Sequence, residues 1–505
     1  MRKREKTINL KKGKKVMNNI KQLTNYDDGV LDNMMGELKN NIHTLQGHTI
    51  GVLQAPTGVG KTHSSIRKII PLMYHQTGVR FVLYVAPQKG LIGRSSLSNH
   101  IRSLKKKGHL VSELISTVKS NVTIGDIETQ LMNRDDEEII IVTMTDSFFN
   151  KNVDLIETLI IGNTLQMKTL VLLDEAHYGM VSHKDFYEYS LGSKNPEYNA
   201  VKFNNVVSIL DVSYIIGLTA TPIKEQIEES FGTDKYLPLN TYPSKDKLIL
   251  RTAGYQEPIF YDWKNLGMEN SLMKFFGIVS SKQTQLDTQS DNFNLPDECR
   301  VKLCGGIKIE TPYKDKDKDD KYKLIEILNS DISIPDEWDW DLCLDTSDGI
   351  SIWRFQDGEI NELNKDDMRL SGYVDSDMLV NHLRNDTSRL KFMVVVNKGS
   401  MGLDIHNWNF GLSLRVPGTK DPDGVPVVLG GIQWCGRFVR ITLPIESLSK
   451  YFDNIEDFKL YYSLVNSYQM MLPQSSYWRK TWEEVSNKIN SIDDVNKFFD
   501  TVESK

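Results

Sequence analysis

The chain has 505 residues, of which 39% are hydrophobic and 25% are charged, and its formal net charge is -6. This length and composition exclude a generally disordered chain and predict two or three domains, each with a core of its own. The net charge argues against a protein that coats nucleic acid through bulk charge, although a local basic groove would not be visible in that total.

Cysteine usage and hydropathy indicate an intracellular protein. The chain contains four cysteines, without a C-x-x-C pair and without the density of a secreted disulfide scaffold, so we assign no zinc site and expect a reducing compartment. No run of about 18 apolar residues is present, and the N-terminus lacks the apolar segment of a signal peptide. We therefore expect a soluble chain with no membrane contact.

The first residues, MRKREKTINLKKGKKV, carry eight Lys or Arg and a single Glu. Such a segment cannot collapse into a core, and we predict a mobile basic arm over residues 1–25. Two interpretations of the arm remain open. It is either a solvated tail or an arm that contacts phosphates, since clustered cations release counterions from a polyanion.

Apolar runs rich in β-branched residues alternate with longer amphipathic segments in the first half of the chain. The runs are 51–55, 80–87, 137–144, 168–176 and 213–222. Continuous apolar strands are buried on both faces, which predicts a parallel sheet between layers of helices. We assign residues 26–235 to this N-terminal lobe.

A second group of apolar runs repeats the pattern after about residue 300. Its members are 300–309, 349–355, 390–397 and 410–416. Residues 223–299 are predicted to be a linker with one helix over 270–286, and we assign 236–445 to the linker and the second lobe. Residues 446–505 have helical spacing and predict a C-terminal helical extension that could bind a protein partner. The predicted fold class is α/β, with two parallel-sheet lobes in tandem.

The stretch LQAPTGVGKT, residues 53–62, lies between an apolar strand and a predicted helix. It fits the phosphate-binding P-loop pattern with Ala in place of the first Gly, and the matching residues are Ala55, Pro56, Thr57, Gly58, Val59, Gly60, Lys61 and Thr62. Backbone N–H groups of such a loop surround phosphates, Lys61 reaches the β and γ oxygens, and Thr62 ligates Mg²⁺. We prefer this interpretation to a tight turn with an incidental lysine, because a P-loop has this strand and helix context.

The stretch VLLDEAHYG delivers two adjacent carboxylates at the end of an apolar strand. Asp174 can hold Mg²⁺ through water, and Glu175 can orient and deprotonate the water that attacks the γ-phosphorus. A structural alternative is that the pair caps the following helix. The P-loop upstream favours the nucleotide site.

The order of these motifs resembles that of the superfamily 2 helicases and translocases of the DEAH type, over about residues 45 to 445. YVAPQKGLIGR, residues 84–94, is similar to motif Ia, which in that family holds the nucleic-acid backbone. IVTMTDSFF, residues 141–149, is similar to motif Ib. The strand contacts that the resemblance implies are Ala86, Pro87, Arg94 and Thr143.

Two further motifs match parts of the family that couple nucleotide to the bound strand. GLTATP, residues 217–222, is similar to motif III, and the coupling residues implied by the resemblance are His177, Thr219 and Thr221. VVNKGSMGLDI, residues 395–405, is similar to motif V, with a Met-Gly pair where the family usually has Arg-Gly. The nucleotide contacts implied there are Gly402 and Asp404.

QWCGRFVRI, residues 433–441, is similar to motif VI and satisfies its Q-x-x-G-R-x-x-R spacing. On a helix, Gln433, Arg437 and Arg440 lie at i, i+4 and i+7 and share one face. Charge that spreads over the γ-phosphate in the transition state can be neutralised by such guanidinium groups. The two arginines are therefore the predicted arginine fingers.

The resemblance implies two tandem RecA-like lobes that close when ATP and Mg²⁺ bind in the cleft between them and separate after hydrolysis. ATP is implied by the family alone, since no convincing adenine-reading glutamine motif precedes the P-loop. The GRFVR form of motif VI is similar to that of restriction-enzyme motor subunits and phage or viral DNA helicases. This form favours DNA over RNA as the nucleic-acid partner.

Three functions remain open at this point. The first is an ATP-driven helicase or translocase, which is a nucleic-acid-dependent ATPase. The second is a non-motor, ATP-dependent switch or assembly factor, in which the same closure gates a protein partner. The third is the motor subunit of a nuclease complex, which would need a partner because no metal-nuclease constellation stands out in the sequence.

Overall fold

The computed structural model describes residues 26–45, 50–54, 61–87, 92, 94–116, 121–163, 167–176, 213–219, 236–240, 256–309, 339–346, 349–357, 359–363, 379, 382–383, 390–395, 408–414, 429–438, 451–452 and 455–486. Of these, residues 26–240 belong to one compact unit and residues 256–486 to a second. The predicted basic arm, residues 1–25, lies outside the described residues.

The first unit contains a seven-stranded sheet in which all neighbouring strands are parallel. Its strands are β1 (Ile50–Gln54), β2 (Val79–Ala86), β3 (Val111–Ile115), β4 (Ile139–Thr145), β5 (Lys168–Asp174), β6 (Ser213–Thr219) and β7 (Tyr236–Asn240). Their order across the sheet is β3, β4, β2, β5, β6, β1, β7. The five predicted strands are confirmed, and β3 and β7 are additional strands at the two edges.

Apolar side chains cover both faces of this sheet. The helices of the unit are Tyr26–Leu45, 61–77 with a π-helical segment at Ser65–Ile69, Arg94–Lys106, Ile124–Met132, Asp146–Lys151 and Val153–Asn163. In β2, Val82 and Tyr84 belong to one hydrophobic core, whereas Leu83 and Val85 belong to the other. Because side chains alternate along a strand, a continuous apolar run is the sequence that a doubly covered sheet requires.

The second unit contains an eight-stranded sheet. Its strands are β8 (Ile259–Tyr261), β9 (Cys304–Lys308), β10 (Trp340–Thr346), β11 (Gly349–Gln356), β12 (Glu359–Glu362), β13 (Leu390–Val395), β14 (Trp408–Ser413) and β15 (Gln469–Pro473), in the spatial order β12, β11, β10, β13, β9, β14, β15, β8. The β10–β11–β12 meander is antiparallel and the other neighbours are parallel. The two sheets confirm the predicted α/β class with tandem parallel-sheet lobes.

The segment predicted to be a linker supplies a core helix to this unit. The helices are Trp263–Asn292, Leu429–Cys435, Ile455–Val465 and Ser476–Ser486, with 3-10 turns at Asp297–Cys299 and Gly436–Phe438. The first of them is longer than the predicted 270–286, and it buries Leu272, Phe275 and Phe276 against the sheet. Among the described residues, we find no helix with the length and hydropathy needed to cross a bilayer.

Strand β10 was not predicted, because its sequence WDLCLDT places two aspartates in an apolar run. The structure explains how Asp341 can lie fully buried in that strand. Arg354 donates from Nε and Nη2 to the two carboxylate oxygens at 2.9 and 3.1 Å, and His382 Nε2 donates to Oδ2 at 2.9 Å. A buried carboxylate is tolerated when it is paired and hydrogen-bonded in this way.

The C-terminal segment contains a strand that helical spacing did not predict. Strand β15 lies between two helices in the chain and pairs in parallel with β14 and β8. Helix Ser476–Ser486 packs on helix Leu429–Cys435, where a Cβ added to Gly431 would lie 2.5 Å from Thr481 Oγ1. Residues 455–486 therefore add a strand to the sheet of the second unit, in addition to forming the predicted helices.

Candidate active site

The described residues of the predicted nucleotide site in the first unit lie at the carboxyl edge of its sheet. Strand β5 ends at Asp174, and its neighbour β6 pairs with β1, which leads into residues 55–60 and then Lys61. Residues 55–60 lie outside the described residues. Parallel strands end at the same edge, so the helix start at Lys61 and the carboxylate at Asp174 lie at one edge although they are far apart in the chain.

Thr62 and Asp174 are in direct contact at this edge. Thr62 Oγ1 lies 3.5 Å from Asp174 Oδ2 and donates to it, and the carboxylate is 7% exposed. Lys61 begins the helix and is close enough for its charge to lower the pKa of Asp174. Hydroxyl and carboxylate oxygens are the donors that Mg²⁺ prefers, so the donor set fits the predicted metal.

A third residue, Tyr84, makes the shortest contact with the Asp174 carboxylate. Its hydroxyl donates to Oδ2 at 2.6 Å from the neighbouring strand β2, and its side chain is fully buried. Sequence analysis did not single out Tyr84. A polar atom in an otherwise apolar strand next to the predicted carboxylate strand is the signal that could have identified it.

The environment of the site raises the pKa values of Asp174 and Tyr84. Burial raises the pKa of Asp174 to about 6, and the Glu175 charge adds to this rise, while the Tyr84 hydrogen bond and Lys61 act against it. Burial, followed by the Asp174 charge, raises the pKa of Tyr84 well above its ordinary value. The tyrosine is therefore a neutral donor, and a nearby cation would favour the ionised form of the aspartate.

Glu175 occupies a left-handed backbone conformation, with φ at 50°. Such a conformation is costly for a residue with a β-carbon and is concentrated at functional sites. The same turn directs the Glu175 N–H to Asp174 Oδ1 at 3.0 Å. The turn thus ends the strand, fixes the aspartate and leaves the half-buried glutamate side chain at the edge.

The predicted coupling residues are only partly described. Thr219 is fully buried at the end of β6, in register with Gln54 of β1, and its neighbour Leu218 is in register with Asp174. The motif III strand therefore lies between the P-loop strand and the carboxylate strand. His177 and Thr221 lie outside the described residues, so the coupling contact stays a prediction.

The predicted strand contacts receive limited support. Thr143 is fully buried, and its Oγ1 accepts a hydrogen bond from the Ser116 N–H at 3.2 Å, so its hydroxyl faces the protein and not a ligand. Ala86 is also fully buried, whereas Pro87 is partly exposed. Arg94 begins the helix Arg94–Lys106, and its side chain is outside the described part of the structure.

The motif VI segment of the second unit differs from the predicted single helix. The α-helix ends at Cys435, and Gly436–Phe438 form a 3-10 turn. The α-helix predicted to continue from Gln433 through Arg437 therefore ends two residues after Gln433, and a tighter repeat begins at Gly436. Arg437 is 2% exposed, while Arg440, the Gln433 side chain and the motif V residues Gly402 and Asp404 lie outside the described residues.

Aromatic packing holds this turn against the sheet. Phe438 contacts Trp408 of β14 and Trp434, each with a ring-centroid distance of 5.1 Å. A Cβ added to Gly411 of β14 would lie 2.8 Å from Phe438 Cζ, so only glycine permits this close approach. The turn that carries Arg437 is thus positioned by the second unit's own core.

Comparison with known proteins identifies the first of these units. Residues 17–224 match the family model described as "Type III restriction enzyme, res subunit". This range contains the predicted P-loop and the predicted DEAH-like motif, from which Thr62 and Asp174 are in contact at the sheet edge. Residues 17–224 thus resemble this restriction-enzyme family. The match supports a superfamily 2 helicase or translocase on sequence grounds that are separate from the geometry of the site.

The solved structures with a likeness to this chain share little sequence with it. The type ISP restriction-modification enzyme LlaBIII bound to DNA is 12% identical with a TM-score of 0.48, and the match covers 92% of this chain and 32% of LlaBIII. The Escherichia coli DExH-box NTPase HrpB is 12% identical with a TM-score of 0.42, covering 90% of this chain and 42% of HrpB. The helicase MrfA bound to DNA is 12% identical with a TM-score of 0.45, and the match covers 91% of this chain and 48% of MrfA. No curated protein matches the sequence.

Proposed function

We propose that the chain is an ATP-driven helicase or translocase that acts on DNA. The observation that carries the proposal is the convergence of Lys61, Thr62, Asp174 and Glu175 at one edge of a parallel sheet. The match to the restriction-enzyme res subunit over residues 17–224 supports the choice of a nucleic-acid motor.

In this proposal the first unit binds the triphosphate of ATP. The backbone N–H groups of residues 57–60 would donate to the phosphates, and Lys61 would neutralise the β and γ oxygens. Thr62 and Asp174 would hold Mg²⁺, which, when bound, neutralises charge on the phosphate oxygens. The hydrogen bonds that Tyr84 and Glu175 donate to Asp174 keep its carboxylate in place.

Glu175 is the proposed general base. Its position directly after Asp174 places a second carboxylate at the edge where the γ-phosphate would lie, and the left-handed turn separates the roles of the two side chains. Glu175 orients the attacking water and accepts its proton, while Asp174 stays hydrogen-bonded.

The second unit is proposed to supply cationic groups to the reaction. Gln433, Arg437 and Arg440 would stabilise charge on the γ-phosphate during hydrolysis, and Gly402 and Asp404 would contact the nucleotide. His177, Thr219 and Thr221 would transmit the hydrolysis state to the strand contacts at Ala86, Pro87 and Arg94. We do not include Thr143 among these contacts, because its hydroxyl is bonded within the protein.

The decisive experiment is steady-state ATP hydrolysis by the full chain in the presence of single-stranded, double-stranded and branched DNA and RNA. We expect stimulation by nucleic acid, with DNA giving the larger effect, and an affinity that falls steeply with salt. Lys61→Ala should weaken nucleotide binding. Lys151→Ala is the matched control, because it removes an exposed lysine from a helix of the same unit.

Hydrolysis that no DNA or RNA stimulates would refute the motor proposal and favour the non-motor switch. A second candidate, the motor subunit of a nuclease complex, is favoured by the res-subunit description of the matching family model. This candidate predicts DNA-stimulated hydrolysis without DNA cleavage by the isolated chain. Cleavage by the chain alone would contradict it.

A further inference from the structure

Tyr84 is a buried polar residue whose hydroxyl donates a hydrogen bond to Asp174. Of the side-chain donors described at Asp174, the Tyr84 hydroxyl lies at 2.6 Å and the Thr62 hydroxyl at 3.5 Å, both from the same oxygen. The inference below rests on the proposed function, because it assigns Tyr84 a role towards the metal that accompanies the nucleotide.

Strand register explains how Tyr84 reaches the carboxylate. Strands β2 and β5 are adjacent and parallel, with Tyr84 in register with Leu172, two residues before Asp174. Side chains alternate along a strand, so Leu172 and Asp174 lie on the same face of the sheet, and Tyr84 belongs to the same core as Leu172. The ring is therefore fixed in the core, and its hydroxyl extends along the sheet to the carboxylate.

The two oxygens of Asp174 are fixed by different donors. The Tyr84 O–H donates to Oδ2, and the Glu175 N–H donates to Oδ1 at 3.0 Å. Donors on both oxygens fix the plane of the carboxylate, because rotation about its terminal bond would lengthen the hydrogen bonds from Tyr84 and Glu175. Oδ1 keeps a lone pair beside the Glu175 hydrogen bond for a metal ion or a metal-bound water, whereas Oδ2 also lies 3.5 Å from the Thr62 hydroxyl.

We propose that Tyr84 is a positioning residue that presents the Asp174 carboxylate to the nucleotide-bound Mg²⁺. Outer-shell partners of metal-binding carboxylates set metal affinity by holding the ligand in one orientation. The ring by itself would fill its place in the apolar core. The hydroxyl is needed only for the hydrogen bond to Asp174.

Tyr84→Phe tests this role, because it removes one hydroxyl and leaves the ring. Tyr261→Phe is the matched control, since Tyr261 is a buried tyrosine whose hydroxyl donates to the Ser413 carbonyl at the same distance, 2.6 Å, in the other unit. Binding of a fluorescent ATP analogue is titrated with Mg²⁺ for the unaltered chain and for both variants. Free Mn²⁺ is followed by electron paramagnetic resonance as a second measure that needs no turnover.

In Tyr84→Phe, we expect the Mg²⁺ concentration for half-maximal nucleotide binding and the Mn²⁺ dissociation constant to rise about tenfold. Nucleotide binding in EDTA should be unchanged, which also shows that the variant site is folded. Tyr261→Phe should leave both metal constants unchanged.

Equal metal dependence in Tyr84→Phe and the unaltered chain would overturn the inference and leave the proposed function intact. A loss of nucleotide affinity that is the same with and without metal would also overturn it, because it would indicate a structural role only. If the unaltered chain shows no metal-dependent nucleotide binding, the proposed function itself is refuted together with this inference.

Discussion

Asp341→Asn tests the buried network at the start of β10. The Asp341 carboxylate is fully buried and accepts hydrogen bonds from Arg354 and His382. Burial raises its pKa, but these hydrogen bonds and charges outweigh burial and lower the pKa from 3.8 to about 2. This difference corresponds to about 2 kcal/mol of interaction that favours the carboxylate, because one pKa unit equals about 1.4 kcal/mol. We expect the variant to lose about 2 to 4 kcal/mol of unfolding free energy at pH 7, since the partly buried Arg354 would also lose its counter-charge.

The lowered pKa of Asp341 sets how the stability of the fold depends on pH. A carboxylate whose pKa is lower in the folded state stabilises the fold above its unfolded pKa and loses that contribution as the pH falls through the folded value. The difference in unfolding free energy between the unaltered chain and Asp341→Asn should therefore be largest at neutral pH. It should decrease as the pH falls from 3.8 towards about 2.

Urea unfolding followed by tryptophan fluorescence measures this loss selectively. All eight tryptophans lie at or after residue 263, so their emission reports the second unit, which contains Asp341. Asp357→Asn is the matched control, because Asp357 is an exposed residue at the end of the neighbouring strand β11. An Asp341→Asn variant as stable as Asp357→Asn at pH 7 would refute the reasoning. So would a stability difference that grows as the pH falls below 3.8.

Three further predictions follow from the two units. Glu175→Gln should keep nucleotide binding but lower hydrolysis by about 100-fold or more, as measured by phosphate release, because the amide cannot accept the proton of water; full turnover would contradict the general-base role. The four cysteines are buried, and burial raises the thiol pKa of Cys304 and Cys435 to about 12, so Ellman's reagent should label none of the four in the native chain and all of them in guanidinium. Rapid labelling of the native chain would contradict this burial. Gly306→Ala should lower the unfolding free energy by about 1 to 3 kcal/mol, because the added Cβ would lie 2.6 Å from the Trp408 ring, and an unchanged urea midpoint would rule out this contact.

Local patterns in the sequence were sufficient to predict most of the fold. The β-branched runs of the first unit are strands because a sheet covered on both faces needs apolar side chains at every position, and this need is visible in a short window. The positions of the two motifs at 53–62 and 171–179 then followed from strand ends. Strands with mixed character, such as β10, β12 and β15, were missed because their polar or methionine-rich sequences also suit loops and helices.

The sequence by itself was enough to predict which residues bind phosphate and metal, because the chemistry and spacing of those residues are local. Only the tertiary structure decided that Tyr84 donates to Asp174 and that Asp341 can be buried, because those contacts join strands whose register is set by packing and not by neighbouring residues. The motif VI segment shows the same difference between what local spacing predicts and what packing decides. Its spacing predicted one helical face, but packing of Phe438 on Trp408 and Trp434 accompanies a tighter turn that the spacing alone does not encode.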